Sequence, residues 1–490
     1  MKFSRWMCMG LVLLPLAAEA HGEVRSRLMQ NAPETEDAER RLDKVLPQAA
    51  PQQTPIAEPF LPAGAAQEEE WTDAADVPPD RLEPWLNRSL NERRYDRAAA
   101  LLPRYRELPD ADKVLADFAQ GAIWREEGRH KEAVALYRKL LDGRPELQTV
   151  RLDLAAMLFE DRQDRDSGKL FDEAEQMGLP EDVLPRIEQY REALAGRGSW
   201  QFSLGGGYVQ DDNLNNVSDS KTIRLPQFGN LPFEKDEAYL PKSGRGAEYN
   251  ISASRDISLT GNHYLALGAS ADGVLYWDNH DYDDVTFRLE AGYRNKSLKQ
   301  DWSLVPFAEH RRTANERYYI RSGFDAAYSR WLSNRWRVSA NGALAWKNYT
   351  GERTARDAAA NVGVTYLAGS SAYLFGGVNY GRDKMHNRPE SSSVRTGAYA
   401  GWGQSWPWHF GSRAVLSRYN ERYDGEHYIF RDRRRKDKVL GTTLSLWNDK
   451  LSFWQITPRL NWRYTKVNSN LPDLHSYGKH KLFFSFEKSF

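Results

Sequence analysis

Cysteine is almost absent: the 490-residue chain has one, Cys8. Everything after it can form no disulfide and offers no thiolate for metal binding or redox chemistry. Long apolar runs are also missing. Beyond the N-terminus none approaches the ~18 residues that a membrane helix needs, and mean hydropathy is −0.72. That excludes a helical membrane protein. It leaves a β-barrel open, because only every second residue of such a strand meets lipid. Charge of one sign is lacking too: Lys and Arg number 68, as do Asp and Glu. No basic face marks the chain as a nucleic-acid binder. HExxH, GxSxG and P-loop patterns are missing. His263, His280, His310, His386, His409, His427, His475 and His480 are scattered and sit in no motif. No catalytic, cofactor or metal site is therefore expected.

What is present, from Trp200 to Phe490, is alternation. Val285, Phe287, Leu289, Ala291 and Tyr293 are interleaved with Thr286, Arg288, Glu290, Gly292 and Arg294. A soluble sandwich would not turn two arginines and a glutamate inward. A membrane barrel does so, with apolar residues towards lipid and charged ones towards a wet lumen. The pattern recurs over 334–348, 451–466 and 478–490, the second of these including Trp454, Ile456 and Leu460. About fourteen such segments can be counted, an even number as single-chain bacterial barrels require. Their connections alternate between short turns, such as 258–261 and 448–450, and longer polar loops, the longest being 210–246. On this alternation Arg288, Glu290, Arg294, Arg321, Asp325, Arg337, Arg459, Arg463, Lys481 and Glu487 line the lumen. The acidic run Asp211–Asn216 lacks the glycine and terminal glutamate of a calcium loop and reads as a polar turn.

The N-terminus carries a leader: Lys2 and Arg5, an apolar core from Trp6 to Leu16, and Ala18-Glu19-Ala20 before His21. Residues 1–20 are expected to be a signal peptide. Residues 21–79, rich in Pro, Ala, Gln and Glu, read as a flexible linker, with a short charged helix over Glu34–Val45. The period then becomes helical over 80–196. Gly121, Trp124, Ala133 and Tyr137 recur 34 positions later as Ala155, Leu158, Ser167 and Phe171. That is the spacing of a tetratricopeptide (TPR) repeat, with about three helix pairs. Gly121, Trp124, Ala133, Tyr137, Ala155 and Phe171 are expected to pack helix against helix. Asp117, Gln120 and Arg151 are the weaker candidates for contacts in the groove. The barrel is expected to occupy 197–490.

A leader, a linker, TPR helices and a barrel together resemble the surface lipoprotein assembly modulator (Slam) family of Gram-negative bacteria. The local likeness lies in Ala119–Arg144, in Gly205-Gly206-Gly207-Tyr208 to Asn216, and in the terminal Phe486-Glu487-Lys488-Ser489-Phe490. The fold class implied is α+β and multidomain: a periplasmic TPR-like α-helical domain, then a transmembrane antiparallel β-barrel in the outer membrane. The resemblance implies delivery of lipoproteins to the cell surface, without catalysis. It implies client lipoproteins such as transferrin-binding, lactoferrin-binding and factor H-binding ones as partners. Periplasmic chaperones, the barrel-assembly machinery and outer-membrane lipid are further expected partners, for a chain working as a monomer. Phe484, Phe486 and Phe490 resemble the signal that the barrel-assembly machinery reads. A polysaccharide-export or passive porin-type channel is the alternative.

Overall fold

The computed structural model describes residues 42–43, 46–52, 73–225, 229–351, 353–454 and 456–489. The expected leader, much of the 21–79 stretch and Phe490 lie outside the described residues.

Among the described residues from 73 onward, seven α-helices precede the barrel: α1 (Leu82–Asn91), α2 (Tyr95–Arg106), α3 (Lys113–Glu126), α4 (His130–Gly143), α5 (Gln148–Glu160), α6 (Asp164–Gln176) and α7 (Leu184–Gly198). They form three antiparallel pairs and a closing helix. The turn inside each pair uses one residue in the left-handed region: Arg93 at φ 57°, Gly128 at 72° and Arg162 at 62°. Gly128 and Arg162 are 34 positions apart and Arg93 falls within one residue of the same period, so the period seen in packing residues also governs the turns. A carboxylate caps α3: the Val114 amide donates to Asp112 Oδ1 at 2.8 Å.

Small residues let the paired helices close up. A Cβ on Gly121 would meet the Tyr137 ring at 2.0 Å, and the Tyr137 hydroxyl donates to the Phe118 carbonyl at 2.9 Å. In the next pair Ser167 donates to the Ala155 carbonyl at 2.7 Å. Ala133, Ala155 and Phe171 are fully buried; Trp124 is partly buried against the cluster that holds Ala133, while Ala155 and Phe171 sit in a second one.

Fourteen antiparallel strands then close a barrel. They are β1 (Gln201–Asp211), β2 (Gly244–Ser258), β3 (His263–Tyr276), β4 (Asp284–Lys296), β5 (Gln300–Thr313), β6 (Glu316–Trp331) and β7 (Trp336–Tyr349). The circuit continues through β8 (Thr354–Leu367), β9 (Ala372–Met385), β10 (Ser393–Ser405), β11 (Phe410–Glu426), β12 (Arg434–Asn448), β13 (Arg459–Ser469) and β14 (Tyr477–Ser489). Each strand pairs with its neighbours in sequence, and β1 closes on β14 with Gly207 opposite Ser485. Gly207 is obligatory there, because a Cβ would stand 1.8 Å from the Phe484 carbonyl oxygen. A small hairpin, 222–225 with 231–234, lies inside the longest loop.

The outer wall is apolar and exposed: Ile251, Leu289, Phe324, Leu344, Val378, Leu416, Phe484 and Phe486 all face away from the barrel. Such a continuous band belongs in lipid. One strand departs from expectation. The segment expected over 451–466 begins only at Arg459, so Trp454 and Ile456 belong to a connection. Phe453 and Ile456 form an isolated bridge there, and Trp454 has a φ of 48°. Pro458, which has no amide proton to give a ladder, stands just before the strand. The connection 449–458 is thus longer than the short turn expected at 448–450.

Candidate functional site

Inside the barrel, charges of opposite sign alternate around half the wall. Arg288 on β4 reaches Glu290 Oε2 at 3.0 Å, Glu309 on β5 at 3.5 Å, and Asp325 on β6. Arg321 on β6 joins Glu309 at 3.3 Å to Asp357 on β8 at 2.9 Å. Lys347 on β7 lies 3.9 Å from Asp357 and 3.5 Å from Asp383 on β9. Arg395 on β10 then links Asp383 at 3.5 Å to Glu421 on β11 at 2.8 Å. The belt therefore crosses eight strands without an unmatched sign, which keeps charges removed from bulk water compensated. Arg288 and Arg321 also stack over Phe307, at 3.9 and 4.7 Å from the ring centroid.

The sequence-level candidates divide between two cavities. Arg288, Glu290, Arg294, Arg321 and Asp325 line one of about 390 Å³. Arg459, Arg463, Lys481 and Glu487 line another of about 750 Å³, and Arg463 borders both. Arg337 lines neither of these two; it donates to Ser329 at 2.7 Å and lies beside Trp331. Glu309, Asp357, Asp383, Arg395 and Glu421 complete the belt and were not singled out from sequence. The same alternation, carried through 300–312, 356–368 and 392–421, is the signal that would have found them.

Part of the stretch read as linker is inside the barrel. Leu46 is buried against Tyr373, Phe375, Tyr399 and Val415, with Leu42 beside it. Asp43 reaches Arg463 at 2.6 Å, and the Arg413 guanidinium donates to the Pro47 carbonyl at 3.0 Å.

At the long-loop end, apolar side chains cluster against the inner wall. Val209, Leu214, Val274 and Tyr276 form one group, and Tyr419, Val439, Val467 and Tyr477 another. Above them two of the scattered histidines meet: His427 Nε2 and His475 Nε2 are 3.1 Å apart, joining loops 427–433 and 470–476. Burial, then the nearby Arg435, pushes His427 down to about 4. His475 is held well below the usual histidine range for the same two reasons, with His427 adding to them. Both rings are therefore neutral at pH 7, and one donates to the other. The Asp211–Asn216 turn is satisfied by a lysine: Lys479 Nζ lies 2.9 Å from Asp211 Oδ2 and 2.9 Å from Asn216 Oδ1.

The helical unit is docked on the short-turn side. Asp161 Oδ1 accepts from the Leu298 amide at 3.1 Å, and Asp166 Oδ2 from the Gly261 amide at 2.9 Å. The Lys299 ammonium donates to the Gly128 carbonyl at 2.9 Å. Just behind this contact Arg125 and Glu160 form a buried pair, Nε to Oε2 at 3.3 Å. Burial works against the charge of Arg125, but Glu160 more than offsets it and raises the guanidinium pKa further. Beside them His130 is pushed down to about 4, chiefly by burial and then by Arg125. Of the groove candidates, Arg151 is turned into the structure, donating to the Pro145 carbonyl at 2.7 Å. It is occupied by the fold and is not free for a groove contact. Asp117 lies 3.6 Å from Arg106, and Gln120 is half-buried.

The family model described as "Surface lipoprotein assembly modifier" matches residues 200–490. A second, "Surface lipoprotein assembly modifier, N-terminal TPR repeats", matches 74–171. The chain belongs to the surface lipoprotein assembly modifier family. Among its relatives, Surface lipoprotein assembly modifier 1 of Haemophilus influenzae is 29% identical over 80% of this chain and 80% of its own. The protein of the same name from Neisseria meningitidis is 29% identical over 80% and 79%. The Hemophilin secretion modulator of Acinetobacter baumannii is 28% identical over 84% and 86%. The first match spans the fourteen-stranded barrel and the second covers the helical repeats. A porin-type channel, the alternative weighed from sequence, is not favoured by this membership and leaves the helical repeats without a role.

Proposed function

We propose that this chain is a non-enzymatic translocation factor that delivers lipoproteins to the bacterial cell surface. The helical unit stands in the periplasm and engages the client. The barrel, with its mixed-charge lumen, carries or guides the client outward. The observation that carries the reading is the fixed seating of a TPR unit against the short turns of a barrel, through Asp161, Asp166 and Lys299. A groove held at the mouth hands its cargo directly to the lumen.

The belt from Arg288 to Glu421 suits an extended polypeptide. Every charge in it already has a partner of opposite sign, so a passing chain finds a wet, weakly adhesive wall. The ten lumen positions named from sequence, together with Glu309, Lys347, Asp357, Asp383, Arg395 and Glu421, are the residues assigned to this path. Phe484 and Phe486, exposed on the lipid face of β14, are assigned with Phe490 to recognition by the barrel-assembly machinery.

Removal of residues 80–196 tests the reading. Surface labelling of a co-expressed surface lipoprotein should be lost while its cellular level and barrel insertion stay normal. Unchanged labelling would refute capture by the helical unit.

A further inference from the structure

The lumen of an aqueous channel has little use for an aromatic patch, yet β9, β10 and β11 build one. Tyr373, Phe375, Tyr399 and Val415 point inward and are buried, and what covers them is Leu46 of this same chain. The described residues on either side of 44–45 bond to one another. The Leu46 amide donates to the Leu42 carbonyl at 3.1 Å, one helical turn, and the Gln48 side chain donates to the Asp43 carbonyl at 3.2 Å. That turn sets Leu42 and Leu46 on one face, towards the patch, with Asp43 turned to the basic wall of β13. Asp43 meets Arg463 at 2.6 Å. Arg413, lying over Phe375, donates to the Pro47 carbonyl. Asp43 lines both lumen cavities, so the segment lies between them.

We propose that the lumen holds a peptide-binding site for one acidic and one apolar side chain, and that Leu42, Asp43, Leu46 and Pro47 of this chain fill it as a plug. Three features define the site: an aromatic pocket for Leu46, a guanidinium for Asp43, and a second guanidinium for the backbone carbonyl that follows. The combination reads a short turn of acidic and apolar residues and rejects a basic one. Pro47 ends the turn immediately after the pocket, since its ring cannot continue a helix. Displacement of the plug joins the two cavities and opens the lumen. The inference is independent of client delivery, because it concerns ion flow through the barrel itself.

Planar-bilayer conductance of the purified full-length chain tests it, against the same chain lacking residues 42–52 and against Leu46→Asp. Heat-modifiable migration confirms a folded barrel in each case. The deletion and the substitution should both raise ion flow several-fold. A synthetic peptide of residues 42–52 should close the deleted barrel again, and the same peptide carrying Leu46→Asp should not. Equal conductance with and without the segment would overturn the plug. Block by both peptides alike would overturn the pocket as its site.

Discussion

The hydroxyl of Tyr264, on strand β3, donates to Asp164 Oδ2 at 2.8 Å, and Asp164 Oδ1 holds Arg197 at 2.7 Å. One carboxylate at the start of α6 thus joins the barrel, the repeat unit and the helix that leads into β1. The same hydroxyl proton is shared with the carbonyl of Arg162, the left-handed turn residue.

The Asn262 side-chain amide, in the turn before β3, donates to the Asp161 carbonyl; if these contacts fix the helical unit, Tyr264→Phe combined with Asn262→Ala should loosen it without unfolding either part. Each lost hydrogen bond to a charged or buried group weakens docking by ~1–3 kcal/mol. Hydrogen–deuterium exchange in the full-length chain should rise across 159–166 and 258–262, while β-barrel heat-modifiability is kept. Unchanged exchange would mean that the two units are held elsewhere.

Arg125 and Glu160 make a second prediction. Glu160 is fully buried, so Arg125→Ala strands a carboxylate and should cost about 3–5 kcal/mol in stability of the repeat unit. The double change Arg125→Met with Glu160→Met should recover most of that loss. Limited proteolysis of the helical region reads both.

Gly121→Val should disrupt packing of α3 on α4, because any Cβ there enters the Tyr137 ring. Overpacking of this kind costs about 1–3 kcal/mol. Adding Tyr137→Leu makes room and should restore part of the stability. A thermal melt of the helical signal decides between them.

The His427–His475 contact predicts an acid response. His427 titrates near 4 in the closed loops, against about 6.5 when freed. Opened loops therefore bind more protons between those values, and loop closure weakens as pH falls from about 6.5 towards 4. Above about pH 6.5 the full contribution is present. Exchange of 427–433 should be slow at pH 7.5 and faster at pH 5, after correction for intrinsic rates. His427→Phe should flatten that difference.

Much of the barrel was legible because a strand that separates lipid from water must alternate at every step, and Val285–Arg294 does so without a fault. Strand ends were harder. Trp454 and Ile456 keep the right parity but precede Pro458, and parity alone cannot tell a strand from an extended connection. The repeat spacing from Gly121 to Phe171 located the helices because small residues there set interhelical distance. The charge belt was only half visible: parity puts Arg288 and Arg321 inside, but their partners on other strands depend on register. The Leu46 pocket was not visible at all. Its parts lie more than three hundred residues apart, and the composition of 21–79 masks Leu42 and Leu46, which dock there. The meeting of His427 with His475 escaped notice for the same reason of separation.

The account is tested most directly in intact cells that express one surface lipoprotein with and without this chain. Antibody labelling of unpermeabilised cells should detect the lipoprotein only when the chain is present, at equal total lipoprotein. Equal labelling in both strains would contradict it.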